Sequence, residues 1–197
     1  RAARLLAVEP EERLPLLPEL GRASRESGSL DAAEEALAEA IDQALQGHDE
    51  LTEARARVEQ ARLRFMRTQP EPADLRATAS RAIAVFERIG DEIDLADAWQ
   101  LMGVAELSAR DLGAQLVALR TARKYAIASG DVRRQIEAWS EVGGAMIFGR
   151  TPLSEVLEFT EEELAWARER GLAAVEAEAL LAGPYIHASL GDLHQAR

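Results

Sequence analysis

The chain has 197 residues, 47% of them hydrophobic, 29% charged and only 5% aromatic, a globular composition for one or two domains. Asp and Glu number 35 against 23 Lys and Arg, and the resulting charge of −12 repels phosphate backbones and anionic lipid. Neither nucleic acid nor membrane is therefore an expected partner of this segment. Cysteine is absent, which excludes disulfides, thiolate nucleophiles and cysteine-ligated metal centres. No apolar run reaches the roughly 18 residues of a membrane span and no signal-type leader opens the chain, so a cytoplasmic location is expected. The chain lacks a starting Met and residues 1–8 read as the inside of a helix, which points to a piece of a longer protein.

Ala dominates, followed by Leu, Glu and Arg, while Val, Ile, Thr and Tyr are sparse, a balance that favours helix over strand. Apolar residues recur at three and four, as in Leu30, Ala33, Leu37, Ala40, Ile41 and Ala44, then Ala79, Ile83 and Phe86. No stretch keeps a period of two, so the expected fold class is all-α. The breaks fall, in chain order, at Gly28-Ser29, Gly47-His48-Asp49, Gln69 to Pro72, Gly90-Asp91, Arg110-Asp111, Gly130-Asp131, Gly149 to Pro152, Gly171 and Gly191-Asp192. Gly ends a helix in the left-handed conformation, and Asp, Ser or Thr accepts from the free N–H groups of the next.

A period runs through these helices. Ala98-Trp99-Gln100-Leu101-Met102-Gly103 returns forty residues later as Ala138-Trp139-Ser140-Glu141-Val142-Gly143, with Gly183 a further forty on and Leu17-Pro18-Glu19-Leu20-Gly21 two periods earlier. At Leu63 the same interval is filled without glycine. The helix-ending Gly47, Gly90, Gly130 and Gly171 step by nearly the same distance.

These residues resemble the tetratricopeptide repeat, a helix pair in which helix A carries a large, an apolar and a small residue and helix B carries Ala, a bulky residue and Ala. Leu17, Leu20 and Gly21 with Ala33, Leu37 and Ala40 match it in the first copy; Trp99, Met102 and Gly103 with Leu119 and Ala122 match it in the third. The resemblance implies a right-handed α–α superhelix of about four and a half helix pairs. Its expected repeats are 12–47, 49–90, 91–130, 131–170 and 171–197, the last incomplete.

Little chemistry is on offer. His48, His187 and His194 form no metal motif, Lys124 is the sole lysine and sits in no P-loop, and runs such as Glu161-Glu162-Glu163 read as solvated faces. Trp99 and Trp139 fall on the repeat's packing position. No catalytic residue, metal or cofactor is expected.

The family's ligand contacts come from helix-A positions that packing leaves free. Carried over by position, they are Arg22 and Arg25 in the first repeat, Arg57, Gln60, Arg64 and Arg67 in the second, Asp97 and Gln100 in the third, and Glu137 and Glu141 in the fourth. The groove then has a basic half that would receive an acidic peptide or a partner domain, unless these arginines bridge to glutamates on adjacent helices. The forty-residue unit, the preference for Arg over Lys and the strings Leu17–Gly21, Ala84–Asp91 and Glu137–Trp139 are similar to the repeat regions of large bacterial signalling proteins built on a P-loop ATPase. That resemblance implies a non-catalytic interaction or regulatory scaffold of an adenylate/guanylate-cyclase-like ATPase, with the sensor arm of a LuxR-type transcriptional regulator binding a small-molecule inducer as the alternative. Its partners would be a protein, a peptide or other domains of the same polypeptide, and a homodimer through exposed repeat ends is a further expectation.

Overall fold

The computed structural model describes residues 13–189. A 3-10 turn, Leu14–Leu16, leads into α1 (Leu17–Glu26) and α2 (Leu30–Gly47). There follow α3 (Glu50–Thr68), α4 (Pro72–Ile89), α5 (Glu92–Ser108), α6 (Leu112–Ser129), α7 (Val132–Phe148), α8 (Leu153–Arg170) and α9 (Ala173–Ser189), with no strand among the described residues. The helical reading of residues 1–8, the break at Gly191-Asp192 and His194 lie outside the described residues, as does the side chain of His187.

The helix ends are built as the sequence dictates. Asp49, Asp111 and Asp131 accept from the N–H groups of Thr52, Ala114 and Arg134 at 3.0, 2.9 and 2.8 Å, and Asp91 accepts from Ile93 and Asp94. Each thereby satisfies donors that an isolated helix start leaves free. At the opposite ends Gly90 and Gly130 adopt φ of 79° and 71°, which glycine does without steric cost. Gly47 is the last residue of α2 rather than its terminator: His48 carries the left-handed turn, at φ 55°.

Successive helices pack as antiparallel neighbours, and α1, α3, α5 and α7 also touch one another in a row. The core is accordingly a string of local clusters, not one central mass. Leu17, Ala33, Leu37, Ala40, Ala56 and Leu63 join α1, α2 and α3; Val58, Leu75, Ala79, Phe86, Leu95 and Leu101 join α3, α4 and α5. Trp139, Val142, Met146, Val156, Phe159 and Ile186 do the same for α7, α8 and α9. Such a chain of neighbour contacts is the energetic signature of a solenoid.

Within each pair the close approach rests on size. A Cβ on Gly21 would lie 2.5 Å from Leu37 Cδ2, and one on Gly103 would lie 2.6 Å from Leu119 Cδ2. The fourth pair is looser, with Phe159 Cε1 3.5 Å from the same point at Gly143. Trp139 is buried against Phe159, ring centroids 4.7 Å apart, and Trp166 joins it at 5.7 Å. The guanidinium of Arg123 caps the stack 3.6 Å from the Trp139 centroid, a cation–π contact in a partly desolvated site.

Candidate interaction surfaces

The row formed by α1, α3, α5 and α7 carries a lattice of charges centred on Asp97 of α5. Arg22 of α1 donates from Nη1 to Asp97 Oδ2 at 3.1 Å. Arg134 of α7 donates from Nη2 to the same oxygen at 2.8 Å and from Nε to Oδ1 at 3.2 Å. Arg62 of α3 donates to the Asp97 carbonyl and to Gln100 Oε1, both at 2.8 Å. Arg22 also reaches Glu137 of α7 at 3.3 Å and its own helix's Glu26 at 3.0 Å, while Arg25 pairs with Glu59 of α3. A side chain of the first helix can touch the seventh only because the row curves, so this is the concave face.

These groups are taken out of water: Arg22, Asp97 and Arg134 are 3%, 7% and 5% exposed. Burial alone pushes the Asp97 carboxyl up, but the charges of Arg62, Arg22 and Arg134 outweigh it and hold the group below the usual aspartate range. Asp94 has the opposite balance. Its burial, aided by Asp91 and Asp97, prevails over Arg55, which donates to it at 2.7 Å, and raises its carboxyl to about 6. Glu141 stands exposed in the concave wall. The surrounding protein, opposed by Arg62 and helped by Glu137 and Asp97, pushes its carboxyl up; because water reaches the group, that shift carries little stability.

Of the expected groove residues, Arg22, Arg25, Asp97, Gln100, Glu137 and Glu141 belong to the row of helices that forms this face. Arg57, Gln60, Arg64 and Arg67, on α3 of the same row, do not join the lattice. Arg57 pairs with Glu53 along α3, Arg67 pairs with Asp31 and Glu34 of α2, and Arg57, Gln60 and Arg64 line a cleft between α3 and α4. The cause is register. Leu63, read as the counterpart of Gly103, packs back into the cluster of α1 and α2, whereas Ala61 takes the small position facing α4. A shift of two residues turns a helix by about 200°, which exchanges one face for the other and brings in the unforeseen Arg55, Glu59 and Arg62. A signal for them does exist in the sequence: Arg55, Asp97 and Glu137 stand at equivalent positions of successive repeats, the first basic and the next two acidic.

Of the two readings open for the basic half-groove, Arg22 and Arg25 take the second and bridge to carboxylates of neighbouring helices. Among the described residues, the arginines with no carboxylate within ion-pair distance are Arg64, Arg81, Arg110, Arg120 and Arg150. All five line clefts away from the lattice. Arg64 and Arg81 belong to the α3–α4 cleft, ≈ 420 Å³ in volume, and the other three to an open cleft of ≈ 650 Å³ beside the turn from α7 to α8. No group of three or more acidic or histidine side chains is placed to hold a metal ion among the described residues, and none of their helices is long and apolar enough to cross a membrane.

No protein-family profile matches the chain, and no curated protein sequence does. The solved structures include a relative in shape: the crystal structure of a Signal Transduction ATPase with Numerous Domains (STAND) protein with a tetratricopeptide repeat sensor from Pyrococcus horikoshii. It superposes with a TM-score of 0.72 at 15% sequence identity over 96% of this chain. The fold is a tetratricopeptide-like α-solenoid. The chain spans 29% of the length of that protein, so the likeness concerns only a part of it.

Proposed function

We propose that this solenoid is a non-catalytic regulatory and interaction arm of a larger signalling ATPase, working in the cytoplasm. The observation that supports it best is the likeness, over nearly the full chain, to the crystal structure of a signal-transduction ATPase with a tetratricopeptide repeat sensor. In this reading the concave residues Arg22, Asp97 and Glu137 brace the curvature of the arm, and Glu141, exposed in its concave wall, contacts a protein partner or a neighbouring domain of the same polypeptide. The parent is of the adenylate/guanylate-cyclase-like ATPase type, and a LuxR-type regulator whose arm binds a small-molecule inducer is the second reading. The α3–α4 cleft, with its apolar floor and unpaired arginines, favours that second reading as far as the ligand is concerned. ATP hydrolysis by the full-length gene product, with and without these 197 residues, tests the proposal. A change in turnover on deletion is the expected result; a parent without a P-loop ATPase domain, or turnover unaffected by the deletion, sinks it.

A further inference from the structure

The α3–α4 cleft exists because the second helix pair departs from its siblings in one respect. In the first and third pairs a leucine of helix B fills the interface opposite a glycine of helix A, Leu37 against Gly21 and Leu119 against Gly103. In the second, Ala61 stands in place of the glycine and the buried Ala79 occupies the helix-B position where the leucine would lie, with Leu75 a turn earlier. The helices are not drawn together over a bulky side chain, and ≈ 420 Å³ stays open between them. Small residues, Ala54, Ala61 and Ala82, and the larger Leu75 and Val85 give it an apolar floor.

Its rim has a defined charge. Glu53 is neutralised by Arg57 at 2.6 Å and Glu50 by Arg88. Among the described residues that leaves Arg64 and Arg81 without ion pairs, opposed by the single unpaired carboxylate of Asp74. The balance is one positive charge, in a protein whose net charge is −12. The lining runs on α3 from Glu50 to Arg64, a length of about 20 Å at 1.5 Å per residue. A slot of that shape between two antiparallel helices suits a narrow apolar chain, and its surplus guanidinium suits a carboxylate, which it can grip with two hydrogen bonds.

We infer that the α3–α4 cleft binds an amphipathic monocarboxylate, its apolar chain lying on Ala54, Ala61 and Leu75 and its carboxylate held by Arg64 or Arg81. The inference gives the small-molecule reading above a site and a ligand class, and it rests on that reading for its biological sense, though not for the binding itself. Because binding is measured on this chain alone, a parent without an ATPase domain leaves it standing.

The test is calorimetric titration of the chain with octanoate, kept below its micelle concentration, and with 1-octanol as the uncharged match. Octanoate should bind one to one and more tightly than octanol, and should raise the melting temperature. Arg64→Gln combined with Arg81→Gln should weaken octanoate about tenfold or more while leaving octanol unchanged, since both side chains are free of structural ion pairs. Ala61→Leu supplies from α3 the bulk that Leu37 and Leu119 supply from helix B, and should abolish binding of both probes without lowering the melting temperature; Thr78→Leu, on the cleft wall, serves if that variant does not fold. No saturable octanoate binding up to millimolar concentration, octanol binding as tight as octanoate, or full affinity in the double Gln variant or the filled-cleft variant each overturns the assignment.

Discussion

Replacing Asp97 by Ala removes the acceptor on which three guanidiniums converge. Arg22 and Arg134, 3% and 5% exposed, lose a partner at 3.1 and 2.8 Å. Breaking a buried ion pair from one side costs about 3–5 kcal/mol. The lower end applies, because each arginine keeps something: Arg22 retains Glu26 and Glu137, Arg134 retains Asp131 at 3.2 Å, and Arg62 keeps its bonds to the Asp97 carbonyl and Gln100. A loss of about 3 kcal/mol corresponds to a melting temperature lower by roughly 6–12 °C in a chain of this size. Urea denaturation followed by circular dichroism near neutral pH and low salt reads it directly. The sign with pH follows from the lowered Asp97 carboxyl: its contribution is present above the unfolded-state pKa and is lost as pH falls through the folded one. The gap between wild type and variant should therefore hold between about pH 5 and 8 and close in stronger acid. Arg22→Met in the Asp97→Ala background should cost less than it does alone, since the two groups share one interaction. A loss under about 1 kcal/mol, or strict additivity of the two substitutions, refutes the account.

Glu163 of α8 is 7% exposed, and its burial, then the charge of Glu178, push its carboxyl up to about 7 against the pull of Arg123. A carboxyl raised on folding costs stability once it ionises, so Glu163→Gln should stabilise by roughly 1–3 kcal/mol at pH 8. The gain should shrink towards zero as pH falls to about 4, and a gain independent of pH in urea titrations rejects the assignment. Gly103→Ala would place a Cβ 2.6 Å from Leu119 Cδ2 and should cost about 1–3 kcal/mol by overpacking. Gly144→Ala meets no heavy atom within 4 Å in the interior of α7 and should gain about 0.5–1 kcal/mol from helix propensity alone. Thermal denaturation of the two variants with shifts of the same sign would contradict the packing register.

What the sequence makes legible here is what a single helix decides for itself. The Asp caps, the left-handed glycines and the three-and-four spacing are local, and the helix ends at Gly28, Gly90, Gly130 and Gly171 fall where those signals stand. The partition of each helix between two neighbours is not local. Leu63 and Ala61 are both small enough to bury and both lie near the forty-residue interval; only the shape of the facing helix decides that Leu63 looks back to Leu17 and Leu37 while Ala61 looks forward to Leu75. That ambiguity of two residues decides which side chains of α3 enter the charge lattice, Arg55, Glu59 and Arg62 rather than Arg57, Gln60, Arg64 and Arg67. The partners in the ion pairs were hidden for a related reason: Arg22 finds Asp97 and Glu137 at separations of 75 and 115 residues, and such meetings depend on how tightly the row of helices curls.

That long reach also alters how the solenoid should unfold. In a repeat array each unit contacts its neighbours alone, so the ends open independently of one another. Here Arg22 ties the first helix of the described chain to α5 and α7, bypassing α3. The tie predicts coupling between distant units, which hydrogen exchange in the native state can measure helix by helix. In Arg22→Met the amides of α7 should lose protection along with those of α1, although the exposed Arg133–Glu26 pair at 3.8 Å still joins the two helices. Because Met keeps most of the apolar stem of Arg, the loss isolates the ion pairs from the packing. Loss of protection confined to α1 and its neighbours α2 and α3 would show instead that the lattice is an ornament of the curve, and that neighbour packing alone sets the shape of the solenoid.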